Sequence, residues 1–365
     1  SHFFSGNSFD LALCYQYYGE FLANNENDGK SMEYYAMASS IFEQIFGHQG
    51  KDLANVYLLE SRYYLKQKNY NDALKKIQSA LITLLPSFKA MDPRVNPSID
   101  EIVFDLYLPN VLDQKALILA EKYKQSKDLE DLKSSLETIY LTLAVIEEIR
   151  KTYTEEESQF ILNNEARNLI DDGVKITHKL YTDTGNKQFL AESFHFSEKG
   201  QSIILLSALR GLKAQSTIDI PKSSQDYENN LLRDLATYNN LLYQEKQKKK
   251  PDDTKIQIWS DLVFSLGLAY DSVMNSYEKL YPDFFRLKYN YSTITADSVI
   301  SCLPEDQVMI EYHLSDSAIY SYMLTNKELL SAKYDDRNVF NHKIDSFIRQ
   351  FIRNDYFNAD QQQLD

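Results

Sequence analysis

Turn formers are scarce in this chain of 365 residues, with ten Gly and eight Pro against average usage of about 7% and about 5%. A chain so poor in them has few tight turns and long regular elements. Cysteine is scarcer still. Cys14 and Cys302 stand in unrelated segments and no C-x-x-C occurs, which argues against a disulfide framework and fits a reducing, cytoplasmic compartment. No run of eighteen apolar residues is present, so no stretch reads as a membrane-spanning helix. Basic residues are outnumbered, 39 Lys and Arg to 53 Asp and Glu, for a net charge of −14. That balance argues against a nucleic-acid partner or an anionic membrane surface. Neither a phosphate-binding loop nor a G-x-S-x-G elbow appears, and no cofactor is expected.

What is present is a repeat. Tyr15, Gly19 and Leu22, then Ser31, Tyr35 and Ala38, reappear as Tyr57, Ser61 and Tyr64, then Ala73, Ile77 and Ala80, each 42 residues on. A fixed period of this size, with small residues where helices touch, marks stacked helix pairs. The first pair is expected over Leu11 to Asn24 and Lys30 to Phe46, parted by the polar break Asn25 to Gly29. The second covers Leu53 to Lys66 and Tyr70 to Leu85. On the first helix Tyr15, Tyr18 and Leu22 recur at i, i+3 and i+7, one apolar face, with Gly19 at the point of closest approach.

Later units are degraded. Leu112, Ala116 and Leu119, then Ser135, Ile139 and Thr142, make a third pair, separated from the second by a non-helical insertion from Pro86 to Asp100. A fourth uses Asn163 to Tyr181, then Ser193, Ser197 and Gly200, with Thr182 to Asn186 as the turn. Glu155 to Glu157 read as acids opening a helix, where they complement its dipole. Ser216 to Ser224 reads as a linker. Beyond it come two amphipathic helices, one carrying Tyr227 to Leu242 and one Trp259 to Leu280. They pair antiparallel across the basic loop Lys246 to Lys250, itself read as solvated. After Pro282 the period shortens to that of strands. Strands are expected at 308–314 and 318–325, a third over Lys327 to Lys333, and an amphipathic helix near 341–353.

The second pair, with Tyr70-Asn71-Asp72-Ala73-Leu74 and Ala80-Leu81, resembles the tetratricopeptide repeat. Its long period resembles the kinesin-light-chain style of that repeat. Phe194-His195-Phe196-Ser197-Glu198-Lys199-Gly200-Gln201, Tyr281-Pro282-Asp283-Phe284-Phe285 and Leu303 to Tyr312 follow in an order similar to bacterial proteins in which such repeats lead into a CHAT domain, a caspase-like fold. The resemblance implies a mostly α chain in three parts: a tetratricopeptide-like helical solenoid over 1–215, a helical hairpin over 216–290, and a small incomplete α/β segment over 291–365. It also implies a Cys–His dyad in the complete domain. No His-Gly follows His313 and no Cys follows Cys302, so no catalytic residue carries over. The chain then reads as the N-terminal part of a longer protein, and its start at Ser1-His2 as processed or cloning-derived.

By the same resemblance, the first helix of each pair lines a concave groove for a protein or peptide partner. Gln16, Glu20 and Asn24 face it from the first pair, Asn55, Arg62 and Lys66 from the second, and Asn110, Asp113 and Glu121 from the third. Arg62 and Lys66, one turn apart, suit a carboxylate. The same polar side chains equally fit a solvated helix face. His178 and His195, on neighbouring helices, are within reach of each other as metal ligands or as packing groups. His313 reads as a satisfied core histidine. Two cysteines and six histidines are too few and too scattered for a metal site.

The implied function is a non-enzymatic scaffold that senses a protein partner and positions a caspase-like protease domain. The other reading is a complete adaptor without any enzyme. The C-terminal strands have too little chain to cover both faces of their sheet. They are expected to lean on the 225–281 hairpin, to pair with a second copy through the open sheet edge, or to be the least ordered part.

Overall fold

The computed structural model describes residues 8–25, 28–99, 102, 107–152, 156–213, 220–246, 248, 252–282, 285, 293–336 and 342–343. Eight helices come first: α1 (Phe9–Asn24), α2 (Asp28–Phe46), α3 (Lys51–Lys66), α4 (Tyr70–Leu84), α5 (Leu108–Ser126), α6 (Leu129–Thr152), α7 (Glu156–Thr184) and α8 (Lys187–Lys213). They pack most extensively as the consecutive pairs α1–α2, α3–α4, α5–α6 and α7–α8, and each pair also touches the next. In addition α1 touches α3 and α3 touches α5, so the first helices of the first three pairs are neighbours.

The 42-residue register is visible in the contacts. A Cβ added at Gly19 would meet the Tyr35 ring at 2.8 Å, and the equivalent residues Ser61 and Ile77 are both fully buried. The Tyr18 ring meets that of Tyr34 edge-on at 4.7 Å. The equivalent pair is an ion pair, Lys76 Nζ to Glu60 at 2.7 Å. Turns within pairs repeat as well. Lys68, Lys127 and Gly185 join α3–α4, α5–α6 and α7–α8, and all three are left-handed with φ of 57°, 57° and 69°. This conformation costs a residue with a Cβ more than it costs glycine. Helix starts follow ordinary capping: Ser8 accepts from the Leu11 amide, and Asn69 accepts from that of Asp72.

Residues 86–99 of the insertion are non-helical apart from a single 3₁₀ position at Ile99, yet they are tied down. Gln78 of α4 donates to the carbonyls of Ala90, Asp92 and Val95 at 2.7, 3.1 and 3.3 Å. Lys115 of α5, fully buried, donates to Val95 O at 2.7 Å and Gln78 Oε1 at 3.1 Å. Arg94 forks onto Asp131 and Asp128 at the start of α6.

Helices α9 (Lys222–Lys246) and α10 (Asp253–Leu280) pack on each other. The start of α9 (Ser223, Tyr227) lies beside the end of α10 (Ser276, Tyr277), an antiparallel hairpin. Helix α9 begins at Lys222, so the last three residues of the expected linker form its first turn; 214–219 lie outside the described residues. Among the described residues no helix is long and apolar enough to cross a membrane.

Short helix α11 (Ala296–Cys302) leads into strands β1 (Met309–Leu314), β2 (Ile319–Leu324) and β3 (Leu329–Tyr334). They form an antiparallel sheet in the order β1-β2-β3, with Glu311 opposite Tyr322 and Tyr322 opposite Ser331. All three expected strands are therefore present, and no strand precedes Pro282 among the described residues. The expected helix near 341–353 lies outside them, save His342 and Lys343.

Of the three alternatives for the sheet, the first is corrected: among the described residues the sheet leans on α7 and α8, through the contacts described below, rather than on the 225–281 hairpin. Tyr320, Tyr322, Leu324 and Leu329 join Ala296 and Val299 in one continuous apolar core with the residues of α3 to α8.

Candidate functional site

Three of the nine expected groove residues are occupied otherwise. Gln16 is buried at the position equivalent to the core residue Leu58, because the α1 face that carries it turns inward. Asn55 accepts a hydrogen bond from the Tyr107 hydroxyl, which ties it to the approach of α5. Glu121 pairs with Lys124 on its own helix. Glu20 is half-buried, and Asn24, Arg62, Lys66, Asn110 and Asp113 are exposed.

Four of the remaining residues fall into a row across the first helices. Lys66 Nζ lies 3.5 Å from the Ala23 carbonyl, which brings it beside Asn24 at the end of α1. Arg62 acts electrostatically on Asp113 of α5. The two cations expected to grip one carboxylate thus serve different neighbours. Although solvent reaches Asp113, surrounding protein desolvates it. Together with the charge of Asp172 on α7, this pushes its pKa up to about 6, against the opposing pull of Arg62. Glu165 of α7 is raised by burial and by Asp113, and Asp172 by burial foremost. The row continues onto α7, which the sequence reading did not assign. The signal was present: Glu165, Asn168, Asp172 and Lys175 recur at i, i+3, i+7 and i+10, a polar stripe in a segment whose strict repeat period is lost.

The histidines do not converge. His178 shares a hydrogen bond with Ser331 of β3 at 3.4 Å, and His195 with Thr293 at 3.0 Å. Burial lowers the pKa of both, helped by Lys333 and Lys199 respectively. His313 is half-buried, its Nε2 3.0 Å from Asp171 Oδ1, a satisfied structural histidine as expected. Burial alone would raise Asp171, but its bonds to His313 and Lys175 hold it below its ordinary value. Among the described residues no group of three or more His, Cys, Asp or Glu side chains is arranged to hold a metal ion. Cys14 and Cys302 are both exposed free thiols.

A second polar cluster lies beneath the sheet. Ser193 Oγ and Tyr322 OH are 2.7 Å apart, and Ser197 donates to Glu311. Glu311 is buried. Desolvation raises its pKa to about 8, and the neighbouring Glu198 carboxyl adds to the shift. Ser193, Ser197 and Gly200 are the small face expected of the second helix in the fourth pair. The Gly200 side indeed faces Ile170 of α7, and His313 of β1 as well. The two serines therefore serve both the helix pair and the sheet. Sequence spacing shows the first role but not the second, whose partners lie 114 and 129 residues away.

No protein-family model matches the chain, and neither a curated protein nor a solved structure matches it.

Proposed function

We propose that this chain is a protein-interaction scaffold, a tetratricopeptide-like solenoid whose first helices take an extended polypeptide segment. In a longer parent chain it positions a caspase-like domain that opens with β1 to β3. The observation that carries the reading is the charged row through Arg62, Asp113, Glu165 and Asp172. It crosses α3, α5 and α7, the first helices of three pairs. Asp172 has Lys175 as its ion-pair partner, whereas the Asp113 charge raises the pKa of Glu165, a local excess of carboxylate that suits a segment bearing Lys or Arg. The second half of the reading draws on the sheet. Its face away from α7 and α8 exposes Ile310, Tyr312, Leu314 and Met323, an apolar surface of the kind that further helices cover in an α/β fold.

The test is selection from a random peptide library displayed on phage, followed by titration of the enriched peptides. Peptides enriched in Lys or Arg that bind Asp113→Lys at least tenfold more weakly support the reading. Enriched peptides that bind Asp113→Lys and Arg62→Glu as well as the parent chain would remove the groove as the site.

A further inference from the structure

The three left-handed residues at the turns within helix pairs are not alike. Gly185 takes that conformation between α7 and α8 at little cost. Lys127 and Lys68 take it between α5 and α6 and between α3 and α4, each with φ of 57°, where a Cβ is unfavourable. A residue with a side chain stays in that region when its surroundings hold it there. Lys127 has such surroundings. Its ammonium lies over the Tyr123 ring, 5.5 Å from the centroid, and its charge acts on Asp183. Lys68 has neither a ring nor a carboxylate as partner among the described residues.

Lys68 lines a cleft of about 270 Å³ between the second and third helix pairs. Its walls also carry Asn71 from the first turn of α4, and Lys122, Gln125 and Ser126 from the end of α5. No carboxylate lines it, in a chain with 53 Asp and Glu. Lys122 is bound to the buried Asp131 at 3.0 Å, which also takes two bonds from Arg94 and one from Ser126. Arg94 reaches Asp128 as well. Arg94 and Lys122 are thus balanced by two aspartates, and the charge of Lys68 is a surplus. Asn71 and Gln125 make no side-chain hydrogen bond among the described residues, so each has an amide NH₂ to donate.

We propose that this cleft is an oxyanion site, in which Lys68 and Lys122 hold a phosphate or carboxylate group and Asn71 and Gln125 add hydrogen bonds. An ammonium is a compact charge with three donors, which suits either group, and the side-chain amides donate without adding charge. The ligand then gives Lys68 what the Tyr123 ring gives Lys127. None of these residues belongs to the charged row of Arg62, Asp113, Glu165 and Asp172, so the two sites are independent.

The full chain is titrated with inorganic phosphate, followed by the broadening of its phosphorus NMR signal, and with a tetraglutamate peptide, followed by calorimetry. Low ionic strength limits the screening of exposed charges. One-to-one binding of at least one probe is expected. Phosphate alone marks a phosphate group as the natural ligand, and the peptide alone a side-chain carboxylate. Lys68→Gly separates the site from the fold, because glycine adopts this backbone conformation more readily than lysine. It should leave the urea midpoint unchanged or higher and weaken binding roughly fivefold or more. Lys127→Gly removes the same charge from the next turn and should leave binding unchanged. Failure of both probes to bind one-to-one overturns the proposal. So does binding that survives Lys68→Gly, or that falls equally in Lys127→Gly, because the cleft is then not what holds the anion.

Discussion

The hydroxyls of Ser193 and Tyr322 lie 2.7 Å apart in the buried seam between α8 and β2, and Tyr322 also approaches the Ser193 carbonyl at 3.3 Å. Around this contact the Tyr322 ring meets Phe194 edge-on, centroids 5.8 Å apart. One residue of the sheet is therefore held by both a hydrogen bond and an aromatic contact to one turn of α8. Removing one hydroxyl leaves its partner buried with an incomplete set of bonds, which costs ~1–3 kcal/mol, whereas removing both is far cheaper. Tyr322→Phe and Ser193→Ala should each lower stability in urea unfolding, and the double variant should lose clearly less than their sum. Strict additivity would show that the two hydroxyls do not interact.

Glu311 makes the same seam sensitive to pH. Its folded pKa is raised to about 8 from an ordinary 4.5, foremost by burial and next by Glu198; Ser197 and Tyr322 are its other polar neighbours. A raised folded pKa means that the native state binds more protons than the unfolded chain between those two values. The favourable contribution is complete below about 4.5 and is lost as pH rises through about 8. Glu311→Gln keeps the shape and removes the titration. The variant should gain stability over the parent at pH 8, and the gap should close towards pH 5. A parallel pH dependence of Tm in the two proteins would place the titration elsewhere.

The repeat told most where its period is strict. Residues 42 apart located α1 to α4 to within two residues and placed Gly19 where the partner helix comes closest, a place the Tyr35 ring fills. The groove implied by the resemblance fails for Gln16, which the packing of α1 buries at the position equivalent to Leu58. The period could not show that the sheet rests on α8. That contact depends on chain separations above a hundred residues, and nothing in local periodicity encodes them. The insertion was legible only as the absence of helix. Its anchors, Gln78 and Lys115, sit on α4 and α5 at positions where an apolar residue would have read equally well.

Close approach at Gly19 gives a direct check of the repeat geometry. A side chain there must displace the Tyr35 ring, which is buried, or the Ser31 carbonyl 3.2 Å away. Gly19→Leu should cost roughly 1–3 kcal/mol by overpacking, read as a lower urea midpoint with an unchanged slope. At Gly29 an added Cβ meets nothing within 4 Å, so Gly29→Ala should be close to neutral. Equal effects at the two sites would mean that α1 and α2 do not meet at Gly19.

Gln78 should govern whether the insertion stays closed. Its amide holds three carbonyls of residues 90–95, and its carbonyl oxygen accepts from the buried Lys115. Gln78→Leu keeps the bulk and loses all four bonds, leaving Lys115 with Val95 O alone. Limited trypsin digestion should then cut at Lys89 or Arg94 at least tenfold faster than in the parent chain, well before the flanking helices are attacked. Resistance equal to that of the parent would assign the closure to Arg94 and its two aspartates instead.

Hydrogen exchange separates the sheet from the hairpin. Along α10 only Tyr277 is buried, and Ile258, Phe264, Leu268 and Leu280 are exposed, so few contacts oppose local opening of that helix. Strand β2 is flanked on both edges and buries Tyr320, Tyr322 and Leu324. It is bound to α8 through Ser193 and to α7 through the neighbouring pairs His313–Asp171 and Ser331–His178. Opening β2 therefore requires breaking the seam with α7 and α8, and its amides should exchange at the rates of the Phe189–Phe196 segment, more slowly than those of α10. Exchange of β2 as fast as that of α10, with α8 still protected, would show that the sheet is not docked on the fourth helix pair.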